Sequence, residues 1–262
     1  MNTIFNRNIM IIAATLLVFG ALALFVNADH SWGDYHWART VNSFTLKLGD
    51  NVSDAWDSYL ATASDDWSVS SVLDTTIVPG LAKKNCSSTS GRVEVCSKKY
   101  GFNGWLGLAQ IWVSGNHITQ GLAKMNDTYF NTATYNTPAW RHLVICQEIA
   151  HAFGLDHQDE NFYNTNLGSC MDYTVNPNGP PSNEHPNQHD YDQLETIIYA
   201  HLDSADTVGA EAPSKGNQAE VDLHDPSSWG KSLRKDSRGN NSLFVRDLGK
   251  GQKIFTFVTW AE

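Results

Sequence analysis

The stretch from Thr137 to His157 leaves the chain little conformational choice. Thr137-Pro138 is a strong helix start, with a threonine to cap the first free amides and a proline where no N–H is needed. The helix is expected to run to about Phe153 and to stop at Gly154, a natural left-handed terminator. Positions 147 and 151 stand one turn apart and face the same side. Trp140, Val144, Gln147 and His151 then form one inward stripe, with Glu148 beside it. The reversal at Gly154 can bring His157 back towards His151, so that two imidazoles and a third ligand converge as a catalytic zinc requires.

The chain around this stretch is long enough, at 262 residues, for one substantial domain and a small appendage. Its 41% hydrophobic content is that of a folded protein. A formal charge of −10, with no Lys/Arg cluster, excludes a phosphate-binding surface and argues against nucleic acid as a partner. Arg7 precedes an apolar run from Ile9 to Val26, and Val26-Asn27-Ala28 has the form of a signal-peptidase site. Residues 1–28 are therefore expected to be a cleaved signal peptide, which makes the protein secreted and without stable membrane association. An uncleaved anchor is the alternative.

Export turns the four cysteines towards disulfides. Three pairings are possible. Cys86–Cys96 would close the short polar loop Ser87–Arg92, which leaves Cys146–Cys170. No C-x-x-C pair suggests a thiolate metal site. Sequons at Asn51, Asn85, Asn126 and Asn240 could carry glycans.

Periodicity predicts an α+β organisation. Residues 29–42 read as a linker. Ser43–Leu48 alternates like a half-buried strand, Asn51–Ser53 supplies a turn and cap, and Trp56, Tyr59, Leu60 and Ala63 share a helical face. Strands are expected at Val72–Val78, Arg92–Ser97 and Leu106–Val113, with Ile118–Met125 as an edge strand. After a loop rich in Pro, Asn and Gly, a last amphipathic helix places Tyr191, Leu194, Ile198 and Leu202 on one face. Residues 43–203 form the main domain, 204–217 a second linker, and 218–262 a small β-meander with a turn at Gly249-Lys-Gly251.

Gln147-Glu-Ile-Ala-His151-Ala-Phe-Gly154-Leu-Asp-His157 resembles the extended metzincin motif H-E-x-x-H-x-x-G-x-x-H, departing only where Gln147 replaces the first histidine. Ser169-Cys-Met171-Asp-Tyr173 is similar to the Met-turn of astacins and serralysins, with Met171 as its methionine. The likeness covers roughly residues 41–201. It implies a metzincin-like catalytic domain with a mixed twisted sheet, an active-site helix and a C-terminal helix. It also implies a Zn2+ ion held by His151, His157 and the position of Gln147, with Glu148 as general base and Tyr173 reaching the ion or the reaction intermediate. The bridge Cys146–Cys170 would then tie the metal helix to the Met-turn.

The resemblance further implies a zinc endopeptidase acting on an extended peptide or protein laid along the edge strand near Ile118–Met125, with the loop after Met171 shaping a specificity pocket. A neutral glutamine is a weak zinc ligand, so Tyr173 is the best substitute. Nothing in the spacing places His185 or His189 at the site, and they read as polar loop and helix-start residues. Gln147 also leaves open a catalytically silent relative that binds a peptide or protein in the same cleft.

Overall fold

The computed structural model describes residues 29–82, 86–209 and 225–262. The expected signal peptide lies outside the described residues, as do most of the second linker and the start of the C-terminal segment. The chain is α+β, with one nine-stranded mixed sheet and few helices. The strands are β1 (His36–Trp37), β2 (Phe44–Asn51), β3 (Leu73–Pro79), β4 (Val93–Lys98), β5 (Trp105–Ser114), β6 (His117–Asn126), β7 (Lys231–Lys235), β8 (Asn241–Gly249) and β9 (Gln252–Trp260). Across the sheet the order is β3-β2-β4-β6-β5-β9-β8-β7, with β1 paired to the start of β6.

The parallel half follows from sequence alternation. In β2, Phe44, Leu46 and Leu48 point inward while Thr45 and Lys47 face solvent. β2 pairs in parallel with β3 and β4, and β4 with β6. β5 then runs antiparallel to β6 and β9 antiparallel to β5. Two expectations change here. Ile118–Met125 falls in β6, which is interior and paired on both sides, because the chain turns back after β5 and lays β6 between β5 and β4. The C-terminal meander is present as β7–β9, and it prolongs the central sheet from β5.

Both faces of β5 are buried as a result. Ala109, Ile111 and Val113 join the main core. On the opposite face Trp105 and Leu108 pack with Trp229, Phe244 and Val258. The main core lies between the sheet and two helices, α1 (Asp57–Trp67) and α3 (Pro138–His151). A four-residue turn, α2 (Asp127–Phe130), and α4 (Gln188–Gln193) complete the helices, α4 continuing into a π-helical turn at Leu194–Ile198. That turn and the buried Tyr199 end the final apolar face, leaving Leu202 exposed. α1 starts after Trp56 without the side-chain cap expected at Asn51–Ser53.

α3 is buried along nearly its whole length, and its ends are closed by specific groups. Thr137 Oγ1 accepts from the amide of Trp140. At the other end, Trp32 Nε1 donates to the His151 carbonyl at 3.0 Å and Trp37 Nε1 to that of Ala152 at 2.7 Å. These two indoles belong to residues 29–42, so this segment packs against the helix terminus instead of trailing as a linker. Both disulfides, Cys86–Cys96 and Cys146–Cys170, are formed, as fits a protein made in an oxidising compartment. Among the described residues no helix is long and apolar enough to cross a membrane. Asn126 cannot carry a glycan, since it is buried and its Nδ2 donates to Gly101 O, Asn103 Oδ1 and Trp105 O.

Gly154 ends the helix with φ +106°, and a Cβ there would stand 2.5 Å from the carbonyl oxygen of Tyr35. Gly154→Ala is therefore expected to lower stability by about 1–3 kcal/mol, since both the backbone and its neighbour must yield. A fall in the urea denaturation midpoint measures it, and an unchanged midpoint would show that the helix end can relax.

Candidate metal centre

Four expected site residues are collected where α3, the turn after it and the Met171 turn meet. His151 is fully buried and His157 nearly so, and their rings lie edge to face with centroids 4.6 Å apart. Tyr173 packs on His157 at 4.3 Å. Glu148 stands one turn before His151 on α3, fully buried. Met171 is also fully buried, with its amide held by Ser169 Oγ at 2.9 Å and its carbonyl accepting from the Gln158 amide at 2.7 Å.

The hydrogen bonds fix the imidazole tautomers. His151 Nδ1 donates to the carbonyl of Leu155 at 2.9 Å. His157 Nδ1 donates to Glu160 Oε1 at 2.9 Å, giving a carboxylate–imidazole pair. Each ring therefore turns Nε2, bearing a lone pair, to the interior, and neither Nε2 has a partner. Glu148 Oε2 and Tyr173 Oη are likewise buried without a partner. Each such buried atom costs about 1–3 kcal/mol unless something else binds it. A divalent ion held by two neutral imidazoles and an oxygen donor fits this set.

The third donor is the open question in the geometry. Gln147 is engaged at both ends of its amide: Nε2 donates to the Cys170 carbonyl at 3.0 Å, and Oε1 lies 2.8 Å from Thr259 Oγ1. It thereby reinforces the link that the Cys146–Cys170 disulfide makes between α3 and the Met171 turn. Tyr173 Oη is the free oxygen beside the imidazoles.

Thr259 of β9 joins Gln147 to Glu148. Its single hydroxyl lies 2.7 Å from Glu148 Oε1 as well as 2.8 Å from Gln147 Oε1. One hydrogen cannot serve both acceptors, so both contacts are bonds only when Glu148 is protonated and donates to Thr259. Burial does push the Glu148 carboxyl up, to about 8, with the Thr259 bond offsetting part of the rise. Burial also holds the His151 imidazole well below its ordinary pKa, helped by His157, and drives the Tyr173 phenol well above its own. Glu148 has room between helix and sheet only because residue 107 is glycine, where a Cβ would meet Glu148 Oε1 at 2.3 Å.

Residues of the C-terminal meander complete the surroundings. Phe257 stacks on His151, centroids 4.1 Å apart and rings within 14° of parallel. Arg234 of β7 binds both carboxyl oxygens of Asp156 and, through Nε, Glu160 Oε1 at 2.9 Å. Burial alone would raise the Asp156 carboxyl, but the bonds from Arg234 hold it below the usual range. Asp156, His157 and Glu160 bring their donor atoms close enough for a cation, yet the guanidinium already fills that role. Sequence reasoning missed Thr259, Phe257, Arg234 and Glu160, and the alternation of Phe255, Phe257 and Thr259 carried no sign of which helix they face. His185 and His189 stand elsewhere, His185 bonded to Asp66 Oδ2 at 2.7 Å and His189 against His30.

A cavity of about 310 Å3 opens between the first turn of α3 and the loop after the Met171 turn, lined by Thr137–Trp140, Val175–Asn178 and Glu184. Comparison with family models and with curated proteins finds no match to this chain.

Thr259→Val keeps the shape of the side chain and removes the hydroxyl that bonds both Gln147 and Glu148. It is expected to cost about 1–3 kcal/mol of stability, seen as a lower melting temperature. An unaltered transition would mean that water takes the place of the hydroxyl.

Proposed function

We propose that the protein is a zinc-dependent endopeptidase of the metzincin type. The observation that carries this reading is the pair His151 and His157, each tied through Nδ1 and each left with a buried, unpartnered Nε2. The order of the parallel strands before the helix, the turn at Gly154 and the buried Met171 also support the resemblance. His151 and His157 would hold the ion through Nε2, with Tyr173 Oη or Gln147 Oε1 as the oxygen donor.

Zinc, when bound, acidifies a water molecule and polarises a peptide carbonyl. Glu148, in its ionised form, takes the water proton and returns it to the leaving amine. Tyr173 Oη donates to the carbonyl oxygen as that atom gains charge. The cavity between α3 and the 175–178 loop suits the side chain beyond the cleaved bond. A peptide entering by strand addition would lie along β5, whose free edge is taken by β9, so that β9 has to give way first.

The same fact favours the second reading, a silent relative. With β9 in place, Glu148 is hydrogen-bonded to Thr259 and Gln147 is satisfied without a metal. The two readings part in one assay, which measures zinc content of the purified protein together with hydrolysis of fluorogenic peptides. A peptidase should contain zinc and cleave, and Glu148→Ala should reduce turnover by about 10²–10⁴-fold with the zinc retained. Zinc without hydrolysis in the parent protein supports the silent reading, and absence of zinc from a folded protein refutes the metal centre.

Gln147→His tests the position itself. An imidazole facing the ion should tighten zinc binding about tenfold to a thousandfold, on the order of 1.4–4 kcal/mol. Equal dissociation constants in calorimetric titrations of the two metal-free proteins would place residue 147 outside the ligand set.

A further inference from the structure

We propose that His36, His201 and Asp203, with His117 beside Asp203, form a second, structural zinc site where β1 pairs with the start of β6. The three imidazoles come from three separate segments. His36 and His117 are register partners in the parallel pairing of β1 with β6. His201 and Asp203 follow the π-helical turn that closes the last helix. All three rings direct Nε2 to one atom: Asp203 Oδ1 lies 3.1 Å from that of His117, 3.5 Å from that of His36 and 3.7 Å from that of His201. The rings stand nearly perpendicular, His36 to His117 at 87° and His36 to His201 at 82°.

His36, His201 and Asp203 each bring a donor atom within 4.8 Å of the other two, and His117 reaches Asp203 from beside that group. Ligands of a tetrahedral zinc at about 2.0–2.1 Å lie about 3.3–3.4 Å from one another. The separations from Asp203 Oδ1 bracket that value. His36 Nδ1 lies 2.8 Å from the carbonyl of Asp34, which can only accept, so this nitrogen carries a hydrogen and leaves Nε2 to face Asp203 Oδ1. A divalent cation set between imidazole nitrogen and carboxylate oxygen satisfies both, and that ligand pair suits zinc.

The surroundings prepare the ligands. The Arg39 amide donates to Asp203 Oδ2 at 3.1 Å, and the Asp203 amide donates to the Arg39 carbonyl at 2.8 Å, so Oδ1 is presented in a fixed direction. His36 and Asp203 are buried at the base of the cluster, with side chains 8% and 10% exposed, while His117 and His201 are open to solvent at 40% and 59%. A cavity of about 670 Å3 beside His36, His117 and His201 gives an ion its way in. The ligands join β1 to the segment after the last helix, which assigns the site a fastening role. It would pin β1, and with it the Trp32 and Trp37 contacts to α3, to the segment after the last helix.

The test is a calorimetric Zn2+ titration of the untagged, metal-free chain and of the His117→Ala/His201→Ala double variant. The two replaced rings are the exposed pair, so the core is untouched. The parent chain should bind one more equivalent than the variant, and added Zn2+ should raise its melting temperature further. This difference of one equivalent does not depend on the centre at His151, whose failure would remove an equivalent from both proteins alike. Equal stoichiometry and equal thermal response overturn the proposal. Should the double variant fail to fold, His201→Gln alone is expected to weaken the second equivalent at least tenfold, and an unchanged affinity there overturns it equally.

Discussion

The pairing of β9 along β5 is the contact on which the rest of the molecule leans. Without it β5 would be a long, largely apolar edge strand with its amides and carbonyls unmet, a surface that chains normally cover. The pairing also sets register, with Ala109 opposite Phe257 and Gly107 opposite Thr259. Because side chains alternate along a strand, that register sends Phe257 and Thr259 to the face occupied by α3. A shift of one residue would turn both away and bring Val258 to the helix. The C-terminal strand is thus the wall of the candidate centre as well as the end of the sheet.

Its contacts divide between shape and charge. Phe257 covers the His151 ring and keeps water from it. Thr259 connects Glu148 to Gln147, and Gln147 passes the connection to the Met171 turn through Cys170. On the other side, Arg234 holds Asp156 and Glu160, and Glu160 holds His157. Each imidazole is therefore oriented by a group whose own position depends on the meander or on the helix terminus. Among the atoms this network leaves without a partner are His151 Nε2, His157 Nε2, Glu148 Oε2 and Tyr173 Oη.

Local rules made the helix, its two ends and the parallel strands legible. Thr137-Pro138 and Gly154 act through backbone conformation and need no distant partner, and the alternation of Phe44, Leu46 and Leu48 reports a buried face directly. The disulfides were legible for a related reason, since four cysteines in an oxidised chain allow few pairings. Position in the sheet was not legible, because burial on both faces looks the same for β5 and β6 and the sequence of β6 does not say what lies beside it. The role of residues 29–42 was hidden too. Trp32 and Trp37 matter for the acceptors their indoles find at the end of α3, and a short segment with two tryptophans has no period to reveal that. Asp203 and its three histidines are gathered from positions far apart in sequence, so spacing alone could not assemble them.

Whether the cleft can open is a question of competing strand pairings. A peptide adding to β5 must displace a strand already joined to the same chain, which acts at an effective concentration in about the millimolar range before any side-chain contact is counted. Withdrawing Phe257 alone exposes a fully buried aromatic side chain, a loss of about 1.5–3 kcal/mol. Releasing Thr259 leaves Glu148 and Gln147 without the hydroxyl that bonds both. Against this stands one gain: a Glu148 freed from Thr259 and opened to water can ionise, which burial now opposes. In the peptidase reading, the closed arrangement therefore keeps Glu148 neutral and the edge of β5 filled by the same strand. Any event that lifts β9 would restore both together, so that in the peptidase reading access and basicity are a single switch and cannot be separated by a change at the edge alone.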